Sequence, residues 1–283
     1  MRRVWYHGNC YDGFGSAYVA WTKFGDHAVY EACKYGQELP FYEPEDEIYI
    51  VDFSFPREVM EQLREEVNFL IVLDHHKTAQ ADCEGLDFCV FDMERSGVGL
   101  TWDYFYNDLE NGKGKRPYMI DLIEDRDLWK FEYEENTKQL HAYLCSQPFD
   151  FDVWAQIETK VMLTPNQIFE PGQVLLDSKA REVQKICENY WIVEDGDIRV
   201  AMVNTSAHWS EVGHKLIEIT DCDYAMSFTV FDNHVMFSLR SEGDFDVSEV
   251  AKMYGGGGHK NAAGFKMDLK DFIRDMHIHG GWR

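Results

Sequence analysis

Phe69-Leu70-Ile71-Val72-Leu73-Asp74-His75-His76 is the stretch that decides the fold of this chain. An unbroken apolar run leads directly into an acid and two adjacent histidines. Such a run reads as a strand buried on both faces of a parallel sheet, because a strand with one wet face would alternate polar and apolar residues. In open α/β sheets, ligands bind just beyond the carboxyl ends of the strands. The three polar groups therefore leave the hydrophobic interior at the edge where chemistry is usually carried out. An aspartate beside two imidazoles makes a half-site for a divalent metal. The plainer alternative is an acid capping the next helix beside two surface histidines.

Around that strand, the first half of the chain alternates strand and helix signals. Val4-Trp5-Tyr6 reads as a strand, Asn9 to Gly13 as a turn and Phe14 to Phe24 as a helix. Ala28 to Ala32 and Ile48 to Asp52 read as strands, and Ser54-Phe55-Pro56 opens a helix that runs to Glu66. Leu86 to Phe91 gives a further strand. The order β-α-β-β-α-β-β-α predicts an α/β fold, a doubly wound and mostly parallel sheet. From Gly97 to about Lys160 the pattern is mainly helical, broken by the polar turn Asn111-Gly112-Lys113-Gly114-Lys115. Thr164 to Gly172 reads as a linker and Val174 to about Tyr190 as a helix. A second unit follows: a strand at Ile198 to Val203, a helix at Glu211 to Ile219, a hairpin around Asp232-Asn233 and a helix at Val247 to Tyr254. It closes on Gly255-Gly256-Gly257-Gly258-His259.

With 283 residues the chain holds two ordinary domains or one large one. Hydrophobic residues make up 45%, enough for a packed core. The longest apolar runs are strand-sized, so no membrane partner is expected. Met1 to His7 is positively charged, but no apolar region of signal-peptide length follows it. Seven scattered cysteines without a CxxC pair predict reduced thiols and a cytoplasmic protein. The balance of 27 Lys plus Arg against 51 Asp plus Glu leaves a net charge of −24. Counterion release at basic side chains supplies most affinity for long nucleic acid, and this surface repels a long polyanion. A phosphorylated substrate is therefore expected to be small, with positive charge supplied by metals and a few basic groups.

Three strand ends in the first half deliver acids: Asp12 in the loop after the first strand, Asp52, and Asp74 with His75 and His76. Their joint placement suits a shared oxygen-and-imidazole metal site. A further acidic cluster lies at Glu124-Asp125-Arg126-Asp127; taken alone it reads as a solvated helix end. The four glycines put bare backbone N–H groups ahead of His259-Lys260-Asn261-Ala262-Ala263-Gly264, which suits a phosphate cradle near a helix start. Ala262-Ala263-Gly264 implies tight packing behind it. Arg240 ends the preceding hairpin, and its planar fork suits a phosphate.

Val-Leu-Asp-His-His at 72–76 together with Gly-Gly-Gly-Gly-His-Lys-Asn-Ala-Ala-Gly at 255–264 resembles the DHH phosphoesterase superfamily with its DHH-associated C-terminal domain. The resemblance extends to His7-Gly-Asn-Cys-Tyr-Asp-Gly13, Ile-Val-Asp52 and Leu-Arg240-Ser. It implies manganese- or magnesium-dependent phosphohydrolases, a group that includes RecJ-type exonucleases, nanoRNA and phosphoadenosine phosphatases, cyclic-dinucleotide phosphodiesterases and pyrophosphatases. The layout it implies is a catalytic metal-binding domain over 1–170, a linker helix over 171–194 and a smaller mixed-sheet α/β substrate domain over 195–283, with the active-site cleft between the two domains.

By the same resemblance, His7, Cys10, Asp12, Asp52, His75, His76 and Asp125 would hold two Mn2+ or Mg2+ ions, with Asp52 bridging and Asp74 supporting. Asp127 competes with Asp125 for the fourth-motif position. Arg240 and His259 would act on the substrate phosphate, with Ser241, Gly257, Gly258 and Lys260 beside them. A metal-activated water would attack phosphorus in a short oligonucleotide, a linear dinucleotide or a nucleotide bisphosphate. Pyrophosphatase or polyphosphatase activity is the alternative within enzymes, and a catalytically impaired nucleotide sensor the alternative outside them. The family's first motif carries Asp-x-Asp-Gly where this chain has Cys10-Tyr11-Asp12-Gly13. Cys10 as a thiolate ligand, Asn9 in its place, and Cys10 as a small buried filler all stay open, as does the oligomeric state, a homodimer included.

Overall fold

Alternation along the first strands sets the two faces of the first sheet. A computed structural model describes residues 1–106 and 116–278, so the turn expected at Asn111-Gly112-Lys113-Gly114-Lys115 lies outside the described residues. The chain divides into two units, Met1–Leu176 and Asp177–Arg283. The first begins with β1 (Arg2–His7), α1 (Tyr11–Phe24), β2 (Ala28–Cys33), β3 (Glu47–Val51), α2 (Arg57–Glu66) and β4 (Phe69–Asp74). A short α3 (Lys77–Asp82), β5 (Cys89–Phe91) and α4 (Gly97–Tyr106) complete the wound part. Then come α5 (Tyr118–Asp127), α6 (Glu134–Leu144) and α7 (Phe151–Leu163).

All neighbours in the sheet pair in parallel, in the order β2-β1-β3-β4-β5. Trp5, Ile48, Ile50, Leu70 and Val72 point to one face, where Met60 and Leu63 of α2 cover them. Val4, Val51 and Leu73 point to the other, under Ala20 of α1 and Leu100 of α4. Each fully buried aliphatic side chain of this kind contributes about 1.5–3 kcal/mol. Beyond α1 and α4, the helices α5 to α7 add a second layer of core around Phe14, Val98, Ile120, Leu140 and Trp154. The chain leaves β1 for β2 on one side and returns to β3 on the other. The connections therefore diverge at the carboxyl ends of β1 and β3, which is where such sheets bind ligands.

Local chemistry differs from the sequence expectation in three places here. The strand expected from Leu86 starts only at Cys89, because Leu86 and Cys89 bond within a turn (Leu86 N–H to the Cys83 carbonyl, 3.2 Å; Cys89 N–H to the Leu86 carbonyl, 3.1 Å). The short α3 sits between two strands that were expected to follow one another directly. The linker expected at Thr164 to Gly172 is the start of a long α8 (Asn166–Cys187), which carries Pro171 inside it. The Pro165 carbonyl accepts from Ile168 and Phe169 at 2.9 Å each, so the helix is already wound before Pro171, which cannot donate to it.

The second unit continues with β6 (Trp191–Asp195), β7 (Ile198–Asn204), α9 (Trp209–Ile219), β8 (Tyr224–Phe231) and β9 (His234–Arg240). It closes with α10 (Val247–Met253), β10 (Gly257–His259), β11 (Ala262–Asp268) and α11 (Leu269–Ile278). The sheet order is β10-β11-β9-β8-β7-β6. It is mixed: β7 and β8 run parallel and the other neighbours antiparallel. Val212 and Leu216 of α9 cover one face, and Val247 and Ala251 of α10 the other. The glycine run is not a cradle at a helix start. Gly257 pairs with Gly264 and His259 with Ala262, forming a hairpin around Lys260-Asn261. Gly258 has φ +142, and a Cβ there would lie 2.5 Å from the Ala262 carbonyl oxygen. Pairing at such close range selects glycine.

Among the described residues, no helix is long and apolar enough to cross a membrane.

Candidate metal centre

Three neighbouring parallel strands end in the same place. β1 finishes at His7, β3 leads into Asp52, and β4 finishes at Asp74 with His75 and His76 behind it. The Asp52 N–H donates to the Leu73 carbonyl at 2.8 Å, and Asp52 itself turns to φ 54. His75 Nε2 stands 3.2 Å from Asp52 Oδ1, 3.4 Å from Asp127 Oδ2 and 3.6 Å from Asp12 Oδ2. His7 Nδ1 lies 3.4 Å from Asp52 Oδ2. His76 Nδ1 lies 2.7 Å from Asp74 Oδ1, which also accepts from the backbone N–H groups of His75 and His76.

Within the first unit these groups form three donor sets: His7, Cys10 and Asp52; Asp12, His75 and Asp127; Asp52, Asp74 and His76. In each set the donor atoms lie within 4.8 Å of one another. Asp52 belongs to two of them. It is 1% exposed, yet neither of its carboxylate oxygens meets a hydrogen-bond donor in good geometry, and the same holds for Asp74 Oδ2 and His7 Nδ1. A buried carboxylate without donors costs several kcal/mol. A cation removes that cost, so the residues fit a divalent metal.

The electrostatics point the same way. Burial, with Asp127 and Asp52 beside it, pushes the Asp12 carboxyl well above the usual range. Burial also raises Asp127, next to Asp52. For His75 burial acts downward, but the surrounding Asp52, Asp127 and Asp12 outweigh it and hold the imidazolium well above its ordinary range. Asp52 stays well below its range because His7 and His75 outweigh burial.

The cluster also caps a helix. Asp12 accepts from Gly97 N–H at 2.6 Å and Val98 N–H at 3.1 Å, so its carboxylate caps α4 rather than its own helix. Gly97 is a site residue the sequence did not disclose. A Cβ there would lie 2.4 Å from Asp52 Cβ and 2.8 Å from Asp12 Oδ2. Its signal was Ser96-Gly97-Val98-Gly99 at the opening of a helix, a pattern that suggests close backbone approach. Tyr35 was also missed. Its ring packs 4.8 Å from Phe53 and 5.5 Å from His7 while remaining 57% exposed, and Lys34-Tyr35-Gly36 reads only as a turn.

The structure corrects the preference for Asp125. Its carboxylate accepts from the backbone N–H of Glu132 at 2.8 Å and of Tyr133 at 3.3 Å, and from the Thr137 hydroxyl. It ties down the loop between α5 and α6, whereas Asp127 faces His75. Nor is the cluster a solvated helix end, since Glu124 and Asp125 are buried and Glu124 pairs with Arg95 and Arg116. Cys10 stands at the N-cap of α1. Burial, then Asp52, Asp127 and Asp12, push its thiol well up, while the Gly13 N–H acts in the opposite direction.

In the second unit, Arg240 Nη1 donates to the Leu239 carbonyl at 2.7 Å and to Ser238 Oγ at 3.1 Å, and Nη2 donates to Ser210 Oγ at 2.7 Å. Ser241 is 1% exposed and gives its hydroxyl to the Phe245 carbonyl at 2.7 Å. That corrects its expected place against substrate: it holds the loop. Lys260 Nζ reaches Asp244 Oδ1 at 3.1 Å on the surface. Gly257, Gly258 and the half-buried His259 form β10.

Residues 198–277 match the DHHA1 domain. The chain is 30% identical over 287 residues to the uncharacterized protein R106 of Acanthamoeba polyphaga mimivirus, covering 92% of this chain and 66% of that one. It is 27% identical over 264 residues to the oligoribonuclease NrnB of Bacillus subtilis, covering 84% of this chain and 63% of that one. It therefore spans just under two thirds of these relatives. A crystal structure of an exopolyphosphatase-related protein from Bacteroides fragilis superposes with a TM-score of 0.57 at 14% identity, over 98% of this chain and 90% of that one. Over residues 198–277 the chain belongs to the DHHA1 domain family. The Asp74-His75-His76 triplet sits at the carboxyl end of β4, beside donor sets that suit a divalent cation.

Proposed function

We propose that this chain is a divalent-metal-dependent phosphodiesterase that hydrolyses short oligonucleotides, linear dinucleotides or nucleotide bisphosphates. The observation that carries the reading is Asp52, a buried carboxylate shared by two donor sets with both oxygens lacking hydrogen-bond donors. His7, Cys10 and Asp52 would hold one cation, and Asp12, His75 and Asp127 a second. When bound, such cations lower the pKa of water toward neutrality and offset charge on phosphoryl oxygens. Asp74 fixes the ring of His76 through its Nδ1. The Gly97 and Val98 amides fix Asp12, so the acids keep their places before any ligand arrives. Arg240, pre-set by Ser210 and Ser238, offers a planar fork that matches phosphoryl oxygens and would hold the substrate phosphate with His259.

The net charge of −24 supports a small substrate over a long polyanion. The relative named as an oligoribonuclease supports the same class. The scattered thiols, none in a disulfide, support a cytoplasmic location. The test is a panel of pApA, pGpG, pAp and pyrophosphate, incubated with metal-free protein with and without Mn2+, with products resolved by chromatography. Mononucleotides released only with Mn2+ are expected. Turnover of pyrophosphate alone, or tight nucleotide binding without turnover of any of the four, overturns the proposal.

A further inference from the structure

The donor sets of the first unit differ in kind. Asp12, His75 and Asp127 offer two carboxylates and one imidazole, a set that suits manganese or magnesium. His7, Cys10 and Asp52 offer one imidazole, one sulfur and one carboxylate. Two orphaned buried groups mark that second set as a ligand site rather than a chance cysteine. Asp52 is 1% exposed with both oxygens lacking donors, and His7 Nδ1 is buried without a hydrogen-bond partner although Asp52 Oδ2 lies 3.4 Å away. Cys10 closes the set from the N-cap of the 14-residue helix α1.

Sulfur changes which cation is preferred. Magnesium dehydrates reluctantly and prefers oxygen, whereas zinc and cobalt accept mixed sulfur, nitrogen and oxygen sets. We propose that His7, Cys10 and Asp52 form a thiolate-containing site that takes a borderline-soft divalent transition ion such as zinc or cobalt, leaving the Asp12, His75 and Asp127 set for manganese or magnesium. The centre is then chemically asymmetric. On binding, the sulfur–metal bond forms as the S–H bond breaks, and the proton passes to solvent. The inference rests on the metal-dependent reading given above, but its readout is optical and independent of turnover.

Metal-free protein titrated with Co2+ should develop a near-ultraviolet thiolate-to-cobalt charge-transfer band. Cys10→Ser should abolish it while weaker visible cobalt bands persist, and Cys145→Ser, at an exposed cysteine outside the set, should leave it intact. Cys10→Asp should also lack the band and should lower the preference for zinc over magnesium, measured by competition, by roughly tenfold or more, the scale on which even indirect ligand supports alter metal affinity. Circular dichroism of both variants guards against misfolding, and Cys10→Asp keeps a ligand in place if Cys10→Ser unfolds. Absence of the band in wild type, or its survival in both folded Cys10 variants, overturns the inference. A Cys10-dependent band in a protein that turns over none of the panel sustains this inference and removes only the phosphodiesterase reading. Mn2+-dependent turnover without the band does the reverse.

Discussion

Asp52 in the first unit and Arg240 in the second are both drawn away from water, and their surroundings treat them differently. Around Asp52 the fold supplies imidazoles and further carboxylates but no well-placed donor to either oxygen. Around Arg240 it supplies Ser210, Ser238 and the Leu239 carbonyl, so the guanidinium is already anchored. One region presents acids that a bound cation would complete, and the other is assembled in advance. Divalent cations should therefore govern stability through the first unit, while the second should be indifferent to them.

The sharpest way to break this contrast is Asp52→Asn. Turnover of pApA should fall on the order of 10²–10³-fold, the scale of losing one preorganised electrostatic contact, and calorimetry should find Mn2+ binding weakened. The metal-free variant should melt lower than wild type, because the carboxylate that His7 and His75 hold well below its usual range has gone. Undiminished activity would falsify the assignment of Asp52. Next come the two acids of α5. Asp127→Asn should cost roughly 10²-fold in kcat with little change in melting temperature. Asp125→Asn should instead lose about 1.5–3 kcal/mol in a denaturant titration, the worth of hydrogen bonds to a charged group. If the two variants exchange phenotypes, the geometry of the fourth motif is wrong.

Smaller effects probe the second unit. Arg240→Ala should raise KM by about 10–100-fold, equivalent to about 1.5–3 kcal/mol. Ser210→Ala, which only loosens the fork, should raise it about fivefold, near 1 kcal/mol. Neither should alter the melting response to Mn2+, and a changed response would undo the contrast. The mildest test is a slope. His75 titrates higher in the folded chain than its ordinary 6.5, so its contribution is full below 6.5 and disappears as pH rises through the elevated value. Asp12 and Asp127, also raised, act in the same sense, since the folded state holds more protons than the unfolded one. The melting temperature of metal-free protein should thus fall as pH rises from 6.5, and saturating Mn2+ should flatten the decline. A rise instead would refute this charge arrangement.

Much of the first sheet and of its site was legible because burial imposes a pattern. Phe69 to Asp74 and Ile48 to Asp52 announce buried strands, and the acids that end them fall at the edge such sheets use for ligands. What the sequence leaves open depends on paths that periodicity does not encode. Asp125 and Asp127 are two residues apart near the end of a helix, about 200° around its axis. Only one can face the cluster, and nothing local says which. The Gly255 to Gly258 run signals close backbone approach but not its partner, which is the strand Ala262–Asp268 rather than a helix. Trp191 to Asp195 follows a helical pattern so closely that its strand character shows only once Ile198 to Asn204 pairs with it. Ser96-Gly97-Val98-Gly99 signals close backbone approach at Gly97 but not its partner, Asp52, a neighbour 45 positions away.

The backbone of Asp52 has a consequence for how this position drifts. At φ 54 it occupies the left-handed region, which costs most side chains about 1–3 kcal/mol but is tolerated by Asp, Asn and Gly. If selection for chemistry were relaxed, the chain would still be held to that short menu by folding alone. Among descendants of this sequence, asparagine or glycine at position 52 would record lost activity in a protein that still folds. Alanine or valine there would record a remodelled loop.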